Sequence, residues 1–539
     1  MSAPSTIPPS QPTSLILPRE LTSDIIELAI LSVNPYLDLF NDALGIQRTK
    51  LRLVCRGWNE VILDNPRLWT HIFLCLDDRY NDEAPKGTLA EATTWISRSR
   101  SKKRTLCLIH PGGIEPLSEE EEEEDDFEMD YDATSIDHYV LRQGVAKFIA
   151  GNRDWETVYV DFDDHISVVP DIFDCPPRVL HHPHWASLRT LNLKNSADAK
   201  APPEESEIPC GRIRMPSSSC PALREVSLNL TECTLLGWDL PWAQLTSLRL
   251  ENFINGFKDY LFILHQCPAL EIAYLGFGEA CYTFGDQLSQ SVNLPCPLTL
   301  PTIRSLVVDM RVVHPDITAE FFNKLDLPAL ESLRYYVTCE SPFLWSSKDL
   351  LDSLRQLILQ SNCTLVDLTV DVNLSPDSRD GPPSAPLVNE DALALLLKAA
   401  PSVRTLSIQG HALSCSFLLD PHIPLSHIDS MTIINYNTTF DPEVAATFAA
   451  WAQGWIRRLT TFDGPPLEPI QEERMVREYQ RRISALYMVK PPYHYTEPST
   501  VPAVPPLDER HSRSEFVGFN IRFGYKVVSP AREGWGEGS

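Results

Sequence analysis

The sequence predicts an α/β protein in which a small N-terminal helical module precedes an irregular βα solenoid. Three observations support this fold class. Apolar residues recur at helical spacing between residues 17 and 69, and a six-residue phrase, apolar-x-x-apolar-x-apolar, returns ten times between residues 155 and 433. Helical stretches followed by proline separate several of these phrases. This alternation of strand and helix is typical of a βα repeat.

The first helix is predicted to begin at Pro18. Proline is tolerated at the first position of a helix, where its missing N–H would have had no partner. Leu21, Ile25 and Leu28 then follow at i, i+4 and i+7 and form one apolar stripe. A single core of this size rarely supplies more than about 3–5 kcal/mol. We therefore expect the helices of this module to need a partner.

A second helix is predicted over residues 51–62. Its apolar residues also repeat at helical spacing: Leu51, Val54, Cys55, Trp58 and Ile62. Asp64-Asn65-Pro66 then ends the pattern. Because Cys55 belongs to this stripe, we expect it to be a small core residue and not a reactive thiol.

Three segments of this region together resemble the F-box: Leu17-Pro18-x-Glu20-Leu21, Leu53-Val54-Cys55-Arg56-x-Trp58, and Pro66-x-Leu68-Trp69. The resemblance covers residues 15–75 and implies a helical module that binds a Skp-type adaptor and, through it, a cullin. The positions expected to bind the adaptor are Leu17, Pro18, Leu21, Ile25, Val54, Cys55 and Leu68. Those expected to form the module core are Trp58 and Trp69. The alternative interpretation is two ordinary core helices of a larger domain.

Composition excludes several classes of partner. The formal net charge is −27, and the run 119–132 supplies eleven of the negative charges, so nucleic acid is not an expected partner. The 13 cysteines include no C-x-x-C pair, which indicates free thiols in a reducing compartment, the cytoplasm or nucleus. No secretory signal precedes the helical module, and no apolar segment reaches 18 residues. We therefore expect no membrane association.

The repeat region is predicted to span residues 100–460. Its ten phrases begin at Trp155, Leu188, Leu223, Leu245, Leu270, Ile303, Leu330, Leu365, Val403 and Ile428. Helices are predicted between them at residues 257–266, 317–324, 348–360 and 389–399. The region resembles leucine-rich repeats, although the asparagine that normally ends the phrase is mostly absent. A compact α/β domain with a parallel sheet is the competing interpretation.

Three other segments are predicted to lie outside these two regions or to interrupt them. Residues 1–14 are rich in Pro, Ser and Thr and are expected to be disordered, as is the acidic insertion at residues 118–132. Residues 461–539 are expected to form a tail or a cap on the last repeat. Within them, residues 471–487 are predicted to be helical and residues 516–523 to form a final strand.

The strand phrases also predict a binding surface. Side chains alternate along a strand, so the residues between the apolar positions point away from the core together. Aromatic and Arg side chains contribute most to binding energy at protein interfaces. The outward positions predicted to bind a substrate protein are therefore Arg249, Tyr274, Arg334 and Tyr336.

No motif predicts catalysis, a metal site or a cofactor. A nucleophile, a base and an orienting group do not occur together in a recognisable local pattern. His181-His182-x-His184 has no second cluster of ligands to support it. We therefore expect a non-enzymatic protein, and we expect the chemistry to belong to other subunits.

Two functions fit these observations. In the first, the protein recruits a substrate to a Skp-cullin-F-box type ubiquitin ligase, with the module binding the adaptor and the repeats binding an unidentified target protein. In the second, the repeats form a scaffold that assembles a complex outside any ligase. A hydrolase or transferase hidden in a parallel-sheet domain is a third hypothesis, which the repeated phrase disfavours.

Overall fold

The computed structural model of the chain forms two compact units. One comprises Met1–Glu207 with Gly211–Leu223, and the other comprises Ile208–Cys210 with Arg224–Ser539. The residues that the structure describes are 18–31, 43–75, 84–110, 144–145, 147–149, 151–152, 154–162, 185–195, 213, 215–230, 238–253, 257–277, 297–311, 315–339, 347–374, 388–410, 413, 416–420, 422–423, 428, 430–436, 484–490 and 520–525. The predictions for residues 1–14, 118–132 and most of 461–539 lie outside these ranges.

The described part of the first unit begins with helices and one 3-10 turn. They are α1 (Arg19–Leu31), α2 (Ala43–Arg52), α3 (Arg56–Asp64), the turn Pro66–Trp69 and, after the first strand, α4 (Ala84–Ser99). We call residues 18–75 the N-terminal module. Helix α1 begins at Arg19, one residue after the predicted start, and the Pro18 carbonyl accepts a hydrogen bond from the Thr22 N–H at 3.0 Å. Thr22 and Ile26 are buried on α1, which packs against α2 and α3.

The predicted single helix over residues 51–62 is wrong. Helix α2 ends at Arg52, Leu53 and Val54 form a turn, and α3 begins only at Arg56. Cys55 is the N-cap of α3: its backbone is extended, with φ −162° and ψ 166°, and its Sγ accepts the Trp58 N–H at 3.5 Å. Cys55 is exposed, not a core residue, because a capping side chain must reach back over the helix start.

Four described strands form the parallel sheet of the first unit. They are β1 (His71–Cys75), β2 (Arg104–His110), β3 (Trp155–Phe162) and β4 (Thr190–Asn195). Each strand pairs in parallel with the next one along the chain. The register aligns Ile72, Leu106, Val158 and Leu191, which are all buried. These apolar residues therefore form one continuous row in the core of this unit.

The strands of the second unit also pair in parallel. In chain order they are β5 (Glu225–Asn229), β6 (Ser247–Phe253), β7 (Ile272–Phe277), β8 (Leu298–Thr299), β9 (Ser305–Arg311), β10 (Leu325–Asp326), β11 (Ser332–Cys339), β12 (Asp367–Leu374), β13 (Thr405–Gly410), β14 (Ser430–Tyr436), β15 (Ser484–Lys490) and β16 (Asn520–Tyr525). Strands β8 and β10 pair with each other. When these two are left out, the remaining strands of this unit pair one after another in chain order. The ten phrases fall on β3–β7, β9 and β11–β14.

The C-terminal part of the predicted helix over residues 471–487 is wrong. Ser484–Lys490 is instead strand β15, because its backbone pairs in parallel with β14 on one side and β16 on the other. Strand β16 overlaps the predicted final strand at residues 516–523. Strands β15 and β16 of the tail therefore continue the parallel pairing of the strands that carry the repeated phrase.

Helices connect several strands of the second unit and cover one side of its sheet. They are α5 (Phe257–His265), α6 (Pro315–Asn323), α7 (Ser347–Ser361) and α8 (Glu390–Ala399), and each lies within one or two residues of its predicted bounds. A row of buried aromatic rings packs between α5, α6 and the strands: Tyr260, Phe277, Phe321, Phe322 and Tyr335. Successive ring centroids are 4.3–5.8 Å apart. We call the opposite side of β5–β14 the outer face.

Candidate functional site

An apolar surface lies along helix α1. Leu21, Ile25 and Leu28 share one face of the helix, and all three side chains are exposed, Leu28 most of all at 72%. The buried residues Thr22 and Ile26 lie on a neighbouring face. Helix α1 therefore has two faces, one packed in the module and one presenting large aliphatic side chains to solvent.

The turn between α2 and α3 presents more apolar surface. Leu53 and Val54 are exposed, Leu53 to 80%. Three backbone hydrogen bonds hold the turn: the Leu53 N–H donates to the carbonyls of Thr49 at 3.3 Å and Lys50 at 3.2 Å, and the Val54 N–H donates to the Leu51 carbonyl at 3.2 Å. Together with the α1 face, we call these five side chains the apolar surface: Leu21, Ile25, Leu28, Leu53 and Val54. Exposed patches of large apolar residues commonly mark protein-binding sites.

The same module contains a buried cluster of aromatic and cationic side chains. Trp69 is 2% exposed, and its Nε1–H donates to the Ile62 carbonyl at 2.8 Å. The guanidinium carbon of Arg48, which is also buried, lies 5.1 Å from the Trp69 ring centroid and 4.1 Å from that of Trp95. Arg48 also donates to the Leu68 carbonyl at 3.0 Å. This cluster joins α2, the 3-10 turn and α4.

Further contacts extend the cluster to β1 and the end of α4. The guanidinium carbon of Arg98 lies 4.5 Å from the Trp69 ring centroid, on a side chain that is only partly exposed. Burial, together with the positive charge of Arg48, lowers the pKa of His71. These two effects favour the neutral form of His71. The cations of the cluster, Arg48 and Arg98, lie over aromatic rings.

A polar groove of about 310 Å³ lies between α1 and the end of α3. Arg19 pairs with Asp64 at 2.5 Å, and Arg67 pairs with Glu27 at 3.3 Å. The Asn65 side-chain amide donates to the Ser23 hydroxyl at 3.0 Å. Exposed ion pairs of this kind contribute little stability individually, typically about 0–1 kcal/mol. We assign them the role of setting how α1 lies against α3.

The structure places the predicted adaptor-binding residues in three groups. Leu17 lies outside the described residues. The exposed ones are Pro18, Leu21, Ile25, Val54 and Cys55. Leu68, by contrast, is 3% exposed and contributes to the core of the module. Its place in the 3-10 turn, directly before Trp69, directs it inward.

The two tryptophans predicted to form the core differ in burial. Trp69 is buried, whereas Trp58 is half-buried. Arg48 and Trp95 were not predicted from the sequence. No local pattern marks them, because their contact joins α2 to α4, and α3, the 3-10 turn and β1 lie between these helices in the chain. Leu53 was also not selected, although it directly precedes Val54.

The predicted substrate-binding residues lie on the outer face of the second unit. The Arg249 guanidinium carbon is 4.0 Å from the Tyr274 ring centroid, and Arg249 Nε donates to Glu251 Oε1 at 2.6 Å. The Tyr274 hydroxyl donates to Asp309 Oδ2 at 3.0 Å. Burial first, and then the Asp309 carboxylate, raises the pKa of the Tyr274 hydroxyl. These side chains therefore form one network across three strands.

Arg334 and Tyr336 both lie on strand β11. The Arg334 side chain is exposed, and the Tyr336 side chain is half-exposed. The Arg334 guanidinium pairs with Asp367 Oδ2 at 3.2 Å, and the Ser332 hydroxyl donates to the same oxygen at 3.0 Å. Both arginines predicted to contact a substrate are thus already paired with carboxylates of the same face.

Neither a metal centre nor a membrane span is found among the described residues. None of their helices combines the length and the apolar character needed to cross a bilayer. Within the same ranges, no three His, Cys, Asp or Glu side chains are grouped so that they could hold a metal ion. His181, His182 and His184 lie outside them.

Comparison with known proteins identifies the N-terminal module. Residues 15–75 match the family model described as F-box-like. Comparison with curated proteins finds no match to the chain. The matched segment contains the apolar surface, the 3-10 turn and Trp69, and it ends with strand β1. The chain therefore contains an F-box-like domain, which spans residues 15–75.

Proposed function

We propose that the protein recruits substrates to a Skp-cullin-F-box type ubiquitin ligase. The observation that carries this proposal is the apolar surface of the F-box-like domain. Among the residues that the structure describes, five large aliphatic side chains are exposed within this one small domain, whereas the other exposed large apolar residues are scattered over the second unit: Ile272, Leu359, Val366 and Leu395. F-box domains typically bind Skp-type adaptors, and this surface is suited to that role.

The apolar surface supports a helix-packing mode of docking. Leu21, Ile25 and Leu28 repeat along one helix face, as the anchors of an amphipathic helix do when it packs into an apolar groove. Full burial of such a side chain contributes about 1.5–3 kcal/mol relative to exposure.

The remainder of the chain supplies the substrate-binding part of this proposal. We interpret residues 100–460 as a leucine-rich-repeat-like βα solenoid. The parallel strands of the second unit pair in chain order, and helices connect several of them, as such repeats require. The outer face then receives the target protein in the cytoplasm or nucleus. Catalysis belongs to the other ligase subunits, and the chain itself is not an enzyme.

The docking role is tested by replacing exposed aliphatic residues with serine in two matched pairs. Leu21→Ser/Ile25→Ser changes the α1 face, where the residues are 51% and 45% exposed. Leu359→Ser/Leu395→Ser changes residues of 50% and 43% exposure on α7 and α8. We expect the first pair to weaken adaptor binding at least about tenfold, equivalent to about 1.4 kcal/mol. The second pair should leave it unchanged. Equal binding by both variants would overturn the docking role.

The same variants separate a ligase subunit from a scaffold. Affinity purification of the wild-type protein should recover the adaptor together with a cullin. With Leu21→Ser/Ile25→Ser, the adaptor and cullin should be lost, and a bound target protein should accumulate because it is no longer ubiquitinated. Recovery of the adaptor without a cullin, and no accumulation of any bound protein, would favour the scaffold.

A further inference from the structure

Helix α2 and the turn that follows it carry a local excess of positive charge. The full chain has a formal net charge of −27, yet residues 43–59 include no Asp or Glu and four cationic side chains: Arg48, Lys50, Arg52 and Arg56. Arg48 is buried, and Arg56 pairs with Glu60 at 2.9 Å. Lys50 is exposed and Arg52 is half-buried, so solvent reaches both of these cations.

Neither Lys50 nor Arg52 forms an ion pair with a carboxylate in the part of the chain that the structure describes. Arg52 Nε donates to the Asn59 amide oxygen at 2.9 Å, and this bond orients the guanidinium without cancelling its charge. A guanidinium has five N–H donors, so this bond leaves further donors for a partner. Both side chains therefore keep their positive charge at the surface.

A third cation extends the positive charge to α4. Burial first, and then the charge of Arg52, lowers the pKa of Arg98, whereas Glu91 raises it. Arg52 and Arg98 therefore lie close enough to repel each other. The Arg98 guanidinium carbon is 4.5 Å from the Trp69 ring centroid, and this contact holds the cation in place. An anionic group brought by a partner would relieve the repulsion.

The positive charge adjoins exposed apolar side chains. Arg52 directly precedes Leu53 and Val54, which are 80% and 59% exposed. The α1 part of the apolar surface has neighbours of the opposite charge, because Glu20 and Asp24 are exposed on that helix. Interfaces commonly combine an apolar centre with a polar rim, whose charges align the partner. The two parts of the apolar surface are therefore distinguished by their charge.

We propose that the Skp-type adaptor places an acidic segment against Lys50 and Arg52. Its apolar groove covers Leu53 and Val54 beside them. This inference rests on the proposed function, because it names the chemistry of the adaptor surface that docks there. Charges at the rim of an interface act mainly on the association rate, and salt screens them. Lys50 and Arg52 therefore steer the adaptor onto the domain, and the aliphatic side chains then hold it.

The test follows binding of a purified Skp-type adaptor to the full-length protein by stopped-flow fluorescence at low and high salt. Lys50→Gln/Arg52→Gln should lower the association rate constant at least about fivefold at about 0.02 M salt, and less than about twofold at about 0.5 M salt. The dissociation rate constant should change less than about threefold. Glutamine is a good helix former, so α2 should stay intact in this variant.

Two control variants separate this site from the effect of net charge. Lys348→Gln/Arg355→Gln removes one lysine and one arginine from α7 of the second unit and should change the association rate less than about twofold. Glu20→Gln/Asp24→Asn removes negative charge from α1 and should not slow association of an acidic partner. Equal slowing by both variants that lose cations, or slowing by the α1 variant, would overturn the proposal.

Three further results would also contradict it. Faster association of Lys50→Gln/Arg52→Gln would mean that negative charge of the protein itself already occupies this site. An association rate of the wild type that does not change with salt would exclude steering. In both of these cases Leu21→Ser/Ile25→Ser still tests the proposed function independently, because it acts on the aliphatic contacts. Failure of the adaptor to bind the wild type at any salt concentration would refute both proposals.

Discussion

Replacing Trp95 with alanine should destabilise the F-box-like domain, although Trp95 lies beyond the matched residues 15–75. Its indole is buried, 6.4 Å from the Trp69 ring between centroids, and the Arg48 guanidinium carbon lies 4.1 Å from its centroid. Truncation of a buried Trp costs about 3–5 kcal/mol, and a desolvated cation–π contact contributes about 0.5–2 kcal/mol. The combined loss, about 3.5–7 kcal/mol, approaches the whole stability of many domains, about 5–15 kcal/mol.

Hydrogen–deuterium exchange of the full-length protein measures this loss locally. Peptides from α2, the 3-10 turn and α4 should exchange much faster in Trp95→Ala than in the wild type, and adaptor binding should fall with them. Thr94→Ala is the matched control, because Thr94 is exposed on the same helix and its hydroxyl donates to the Ala90 carbonyl of that helix at 3.1 Å. Its effect should stay within about 0.5 kcal/mol.

Two results would refute this role of Trp95. Trp95→Phe, which keeps an aromatic ring for Arg48, should recover a large part of the protection that Trp95→Ala loses. If Trp95→Ala shows wild-type exchange across residues 43–75, the cluster does not hold α4 to the domain. The F-box-like domain would then be stable without any contribution from residues after its matched segment.

The remaining predictions concern stability and are measured by urea or thermal unfolding. Trp69→Ala should cost more than Trp58→Ala, since Trp69 is buried and Trp58 only half-buried. Cys55→Ser should stabilise α3 by about 0.5–1 kcal/mol, because serine is a stronger N-cap. If this change lowered the stability instead, Cys55 would have to be a core residue, as the sequence predicted. Phe321→Ala, which empties a fully buried aromatic site, should cost about 3–5 kcal/mol. Burial lowers the pKa of His71, so the unfolded state binds its proton more readily and stability should fall as pH drops below about 6.5; His71→Gln should remove that dependence.

Much of the parallel sheet could be predicted because its signal is local. Each phrase carries its own alternation, and alternation alone fixes which side chains enter the core. The fourth residues of successive phrases stand in register across the second unit, as Leu306, Leu333, Leu368, Leu406 and Met431 do. The helices between strands were predictable for the same reason, since their spacing and the prolines that follow them lie within one segment.

The contacts that complete the module were not predictable in the same way. Arg48 and Trp95 are far apart in sequence, and a buried arginine looks like any surface arginine until its aromatic partners are placed. The helix break at Cys55 shows the second difficulty. The apolar spacing was read on the assumption that one helix runs through these residues. In the structure one helix ends before Cys55, and Cys55 caps the start of the next.

Periodicity also left open which face of α1 is buried. Leu21, Ile25 and Leu28 form the stronger apolar stripe, and on sequence alone that stripe would enter the core. The structure instead buries Ile26 with Thr22 and leaves the stripe exposed. Burial of each of these three large aliphatic side chains would contribute about 1.5–3 kcal/mol, and this free energy is lost while they stay exposed to water. A partner that covers the stripe recovers this free energy, so the face on which the simple rule fails is the face that we assign to the adaptor.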